Sequence, residues 1–131
     1  MKKSGILNSN ISSVIATMGH TDALTICDAG LPIPDGTKRI DLALSRNSPG
    51  FLETLNVILM ELEVEKVIIA SEMATKSPKL YQEILKTFTS DKIISVTHEE
   101  FKHLTKESKA IVRTGEFTPY ANIILVSGVI F

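Results

Sequence analysis

A chain of 131 residues has the length of one domain near the commonest size, and 44% hydrophobic residues are enough to build a real core. Aromatics are scarce at 5%, with no tryptophan, so that core must be mostly Ile, Leu and Val. A net charge of −1 gives no electrostatic case for nucleic acid or an anionic membrane, and the lone Cys27 excludes an internal disulfide.

The single cysteine also fits a reducing compartment. Met1-Lys2-Lys3 opens the chain without an apolar run of signal-peptide length behind it. The longest apolar run, near Ile123–Val126, is too short to span a bilayer. A soluble cytoplasmic protein is expected, with no membrane and no nucleic acid as partners.

Asn8 or Ser9 can cap a first helix, whose apolar residues Ile11, Val14, Ile15 and Met18 follow at helical spacing, with Gly19 as its stop. His20 then lies in a turn, and Leu24-Thr25-Ile26-Cys27 reads as a strand ending at Asp28. Pro32 and Pro34 make 29–36 a stiff loop. Ile40–Leu44 alternates and predicts a second strand. Ser48-Pro49 reads as a helix start, followed by the stripe Phe51, Leu52, Leu55, Ile58, Leu59 and Leu62.

Val67–Ala70 is wholly apolar, as a strand covered on both faces should be. Ser77-Pro78 repeats the helix-start signal ahead of Leu80, Tyr81, Ile84, Leu85 and Phe88. Ile93–Val96 predicts another strand, and Thr97-His98-Glu99-Glu100 matches a capping box for a helix anchored by Phe101 and Leu104. Ala110–Thr114 and Tyr120–Val126 read as the last strands, with an apolar tail, Val129-Ile130-Phe131, expected in the core or at a subunit contact. Strands alternating with helices predict a single α/β domain over 1–131, with a largely parallel or mixed sheet flanked by helices.

Three small groups of residues could carry chemistry. His20 and Asp28 flank one short strand, and Asp28 ends it on the edge where α/β sheets usually bind ligands. Helix capping by His20 and turn formation by Asp28 explain the same residues without a site. His98 and Lys102, four apart, share a helix face, which could equally be a solvated surface. Tyr120 and Asn122, two apart on the expected strand, point to one side. A buried Tyr beside a turn-forming Asn is the plainer account of them.

The set is rich in neutral hydrogen-bonding groups, with one or two carboxylates and two imidazoles. That suits a polyhydroxylated neutral ligand such as a sugar. It does not suit phosphate, since there is no Gly-rich phosphate loop and no Arg cluster. Paired catalytic carboxylates of the glycosidase kind are not marked. Three histidines without tight spacing do not suggest zinc, so no metal is expected. Cys27 points away from Asp28 on the strand and reads as a core thiol, and His103 as solvated.

Gly19-His20-Thr21-Asp22-Ala23-Leu24 leading to Asp28-Ala29-Gly30-Leu31-Pro32-Ile33-Pro34 resembles the D-ribose pyranase / fucose mutarotase (RbsD/FucU) family. So do Arg39–Leu44, Thr97–Lys102, Gly115–Leu125 and the opening residues to Ile15, so the resemblance covers essentially the whole chain. It implies a cofactor-free, metal-free isomerase that interconverts the pyranose and furanose forms of D-ribose. It implies His20 as the catalytic acid–base, with Asp28 beside it, and His98, Lys102, Tyr120 and Asn122 as sugar ligands. It further implies a homodecamer of two stacked pentamer rings, with the site at a contact between neighbours. A sugar-binding accessory of a transport system, or a ring-forming structural protein with a vestigial pocket, are the alternatives that the residues leave open.

Overall fold

In the computed structural model, which describes all residues Met1–Phe131, the apolar runs assemble into one six-stranded sheet. The elements in chain order are α1 (Ser9–Thr17), β1 (Ala23–Cys27), β2 (Arg39–Asp41), α2 (Phe51–Leu59), β3 (Val64–Ala70) and α3 (Glu72–Lys76). They continue with α4 (Pro78–Thr87), β4 (Ile93–Val96), α5 (His98–Leu104), β5 (Ala110–Arg113) and β6 (Ile123–Ser127).

The sheet order is β2-β5-β1-β6-β3-β4. β2, β5 and β1 are parallel, β3 and β4 are parallel, and β6 runs antiparallel between β1 and β3. The sheet is thus mixed. Five strands end on one edge, where β6 begins.

Alternation along the strands divides the core between two faces. Leu24 and Ile26 of β1 and Ile123 and Leu125 of β6 join the larger cluster, with Val14 of α1, Phe51, Leu55 and Ile58 of α2 and Ile84 of α4. Cys27, Ile111 and Ile124 face the other way, onto Phe101 of α5. Each fully buried Leu, Ile or Phe side chain is worth roughly 1.5–3 kcal/mol, so the sheet is clamped from both sides.

Several expected boundaries move, each for a local reason. β2 stops at Asp41 rather than Leu44, because the N–H groups of Leu44 and Ser45 both turn to the carbonyl of Ser48. Ser48-Pro49 is a cis peptide within that turn and does not start the helix; α2 begins at Phe51 with Gly50 as its cap. At α4 the proline does occupy the first position, but the Ser77 hydroxyl donates to the Pro119 carbonyl at 2.6 Å instead of capping the helix. The short α3 has no apolar stripe to announce it and buries only Met73.

β6 begins at Ile123, not Tyr120, because Tyr120 has φ +60 and Ala121 closes a turn onto Thr118. Tyr120 and Asn122 therefore precede the strand rather than share its face. The tail also departs from expectation: Ile130 is 89% and Phe131 101% exposed, so it is not packed into this chain's own core.

Candidate functional site

The edge where five strands end gathers most of the candidate residues. Asp28 follows β1, His98 follows β4 as the first residue of α5, and Asn122 leads into β6. Because β6 lies beside β1, Asp28 and Asn122 meet. The Asp28 backbone N–H donates to Asn122 Oδ1 at 2.9 Å, and Asn122 Nδ2 donates back to Asp28 Oδ2 at 3.1 Å. The other carboxylate oxygen accepts from the N–H groups of Gly30 and Leu31 at 2.9 and 2.8 Å, which folds the loop after β1 around it. Burial pushes the Asp28 carboxyl above its ordinary value, against the lowering effect of these donors. Asn122 is completely buried.

His98 is fixed through its backbone. Its N–H donates to both oxygens of Glu72 at 3.1 and 3.0 Å, so α3, set at the end of β3, holds the first turn of α5. Desolvation works to raise Glu72, but the donors on its carboxylate outweigh it and hold it below the usual range. Thr97 caps the same helix by accepting from the Glu100 N–H at 3.2 Å, as the capping pattern predicts. The imidazole stacks over Phe101 at 6.5 Å and meets Tyr120 edge-on at 5.0 Å. Its Nδ1 is buried and has no partner, so the ring carries hydrogen-bonding capacity that the chain does not use.

Tyr120 is held in the left-handed region by its neighbours. Such strain in a bulky residue is costly and collects at functional sites. The carbonyl before it is held by Ser77, and Glu116 binds Thr118 through its N–H and its hydroxyl. A cleft of about 320 Å³ results, lined by Asp28, Gly30, Leu31, Pro32, His98, Pro119 and Tyr120. That volume is at the lower end for small-molecule sites. A second hollow of about 410 Å³ shares Asp28, Gly30 and Pro119 and includes Arg113, which donates to the Ala29 carbonyl and to both oxygens of Asp41, each at 3.1 Å.

Two candidates lie elsewhere. Lys102 does not line the cleft; its ammonium pairs with Glu99 at 2.7 Å. His20 precedes β1 and so stands on the opposite edge of the sheet from Asp28, with β1 alone spanning roughly 13 Å between them. Within one chain the two do not form the adjacent pair expected, because a strand separates whatever flanks it. His20 Nε2 instead meets Glu65 Oε2 at 2.8 Å.

Cys27 is fully buried, and desolvation together with the Asp28 charge pushes its thiol up to about 12, which removes it as a nucleophile. No group of three or more His, Cys, Asp or Glu side chains is placed to hold a metal ion, and no helix is long and apolar enough to cross a membrane. Glu72, Arg113 and Glu116 escaped the sequence reading, and Ser77 was read only as a helix cap. Only Glu72 carried a signal, its place just past the end of an apolar strand.

A family model described as the RbsD / FucU transport protein family matches residues 1–130. The chain belongs to this family. Among RbsD/FucU relatives, a D-ribose pyranase from Coprothermobacter proteolyticus is 60% identical over 131 residues, covering all of both chains. The structure of Bacillus subtilis RbsD complexed with D-ribose matches over the whole of both chains, with 50% identity and a TM-score of 0.96. The fucose mutarotase from Streptococcus pneumoniae in complex with L-fucose matches 95% of each chain, with 26% identity and a TM-score of 0.78. The mixed six-stranded sheet flanked by helices is therefore the RbsD/FucU fold.

Proposed function

We propose that this chain is a cofactor-free isomerase that opens and recloses D-ribose, exchanging its pyranose and furanose forms. The observation that carries the reading is full-length similarity: 60% identity to a D-ribose pyranase, and a TM-score of 0.96 to RbsD complexed with D-ribose. The cleft agrees in kind. Asp28, His98 and Tyr120 offer a carboxylate, an imidazole and a phenol to a neutral polyol, and nothing in that set favours an anion.

Ring opening needs a base on the anomeric hydroxyl and an acid on the ring oxygen. One imidazole can serve as both, since histidine's ordinary pKa of about 6.5 lies near neutrality. A positioned acid–base group gives roughly 10²–10⁴-fold, a useful gain for a reaction that water already performs slowly. This is why no cofactor or metal is invoked. His20 is assigned the proton transfer, and Asp28, His98, Lys102, Tyr120 and Asn122 the sugar's hydroxyls, with Asn122 acting largely through Asp28 and Lys102, which lies outside the cleft, having to give up Glu99 to join them.

Because His20 and the cleft lie on opposite edges of one chain, a complete site takes His20 from a neighbouring subunit. A homo-oligomer follows, and two stacked pentamer rings in the cytoplasm are the arrangement we assign. The family's description as transport proteins keeps a second reading in play, a ribose-binding accessory without activity.

Exchange NMR on D-ribose separates the two. Wild-type protein should speed the exchange between pyranose and furanose signals, and His20→Ala should lose most of that gain. Ribose binding with no acceleration would favour the accessory. Unchanged exchange in His20→Ala would end the catalytic role of His20.

A further inference from the structure

His20 meets Glu65 where two local departures from regular backbone and one close approach coincide. In β3, Val64 pairs with Ser127 and Lys66 with Val126, so Glu65 is an extra residue in a bulge. Bulges re-aim a side chain. Thr21, directly after His20, has φ +70, a strained conformation for a β-branched residue. Its N–H is tied to the Ser127 carbonyl at 2.9 Å, which fixes the His20 turn to the end of β6. At Gly128 an added Cβ would stand 3.1 Å from Glu65 Cβ and 3.3 Å from its N, so glycine lets the chain pass close against the bulge.

The result is one contact, His20 Nε2 to Glu65 Oε2 at 2.8 Å. The two side chains are 53% and 36% exposed, and pairs so open to water add little stability. Stability is therefore a poor reason for a bulge, a strained threonine and a close glycine to converge there.

We propose that Glu65 is the positioning residue of His20, holding the ring by its Nε2–H so that Nδ1 is the atom that exchanges protons with the sugar. This rests on the role given to His20 above. A carboxylate can only accept, so the hydrogen of the contact belongs to Nε2 and the lone pair of neutral His20 to Nδ1. Nδ1 takes the proton of the anomeric hydroxyl as the bond from the anomeric carbon to the ring oxygen breaks and the carbonyl forms. The same proton passes to the released ring oxygen. Reclosure repeats the transfer with a different hydroxyl as nucleophile, so no proton is gained or lost overall. Asp28, on the far edge of the same chain, cannot set this tautomer for its own His20.

The test uses full-length protein labelled with ¹⁵N-histidine, with ring-nitrogen shifts and ribose exchange measured on the same samples. The neutral His20 ring should be protonated at Nε2. In Glu65→Ala that preference should disappear and kcat should fall roughly ten- to hundred-fold, part of the gain a positioned acid–base group supplies, with little change in KM. Glu65→Gln, which keeps an accepting oxygen, should recover much of both. A wild-type ring protonated at Nδ1, or a Glu65→Ala variant with unaltered shifts and rate, would overturn the proposal. His20→Ala tells the two readings apart: if it keeps full exchange, the role of His20 falls whatever Glu65 does. If it loses exchange while Glu65→Ala does not, the role of Glu65 alone falls.

Discussion

Asp28 and Asn122 close a ring of two hydrogen bonds in which neither partner can change roles. Asn122 cannot turn over, because its Oδ1 already accepts from the Asp28 N–H. Asp28→Asn would therefore set an amide NH₂ either against that of Asn122 or against the N–H groups of Gly30 and Leu31, and should cost about 1–3 kcal/mol. Adding Asn122→Asp restores a donor opposite an acceptor, so the double variant should regain much of that loss. Chemical unfolding of the four proteins as a double-mutant cycle reads the coupling directly, and simple additivity would refute it. Asp28 and His98 were legible in the sequence because their places were, one after a strand and one behind a capping threonine. Tyr120 was legible by residue type, but its strand setting was not, since nothing in Pro119-Tyr120-Ala121 announces a left-handed tyrosine. Glu72 and Glu65 were not legible as partners, because they meet residues 26 and 45 positions away and only the folded sheet brings them together.

Between elements, the segment from β5 to β6 is the part that most needs its exact residues. A Cβ on Gly115 would run into the backbone oxygens of Ser45 and Ser48, so only glycine lets this segment cross the turn before α2. The Glu116 carboxylate then accepts from the N–H of Phe51, the first residue of α2, at 3.0 Å and from the N–H and hydroxyl of Thr118. Partial burial works to raise Glu116, but these donors outweigh it and hold its carboxyl below the usual 4.5. The contribution is fully present above that ordinary value and is lost as pH falls through the lower folded one. Asp28 has the opposite sign: its raised value makes protonation easier in the folded state, so it opposes acid unfolding. Glu116→Gln should lower stability by about 1–2 kcal/mol at neutral pH and flatten the loss below pH 4.5. Unfolding free energies measured from neutrality into acid check both, and an undiminished acid slope would remove Glu116 from the account. The same segment shows the limit of local patterns. Strands and helices with an apolar rhythm were readable, whereas the turn at Ser45–Ser48 is set by contacts with Gly115 about seventy positions on, so Ser48-Pro49 imitates a helix start.

For the molecule as a whole, the geometry to explain is one proposed site whose residues lie on two edges of a sheet. If His20 of one chain serves the cleft of another, the contact joins two different surfaces, head to tail. Such contacts close into rings or run on as filaments, and a ring is the form that leaves every site complete. The exposed apolar side chains Leu7, Leu44, Met60, Ile130 and Phe131, the last two on the tail that finds no place in its own core, are the surface that the proposed contacts between chains would use. Shared sites can be tested by mixing. His20→Ala lacks the proton-transfer half and His98→Ala the cleft half, so each alone should be nearly inactive. Unfolded together and refolded at equal amounts, they should form mixed rings in which about a quarter of the contacts pair an intact His20 with an intact cleft. Ribose exchange should return to about that fraction of wild type. Variants refolded separately and then combined without subunit exchange should stay inactive. Failure of the co-refolded sample to regain activity, with mixed oligomers confirmed by native mass spectrometry, would mean that His20 and the cleft act within one chain, against their places on opposite edges of the sheet, whereas a His20→Ala variant active on its own would mean that His20 takes no part in the reaction.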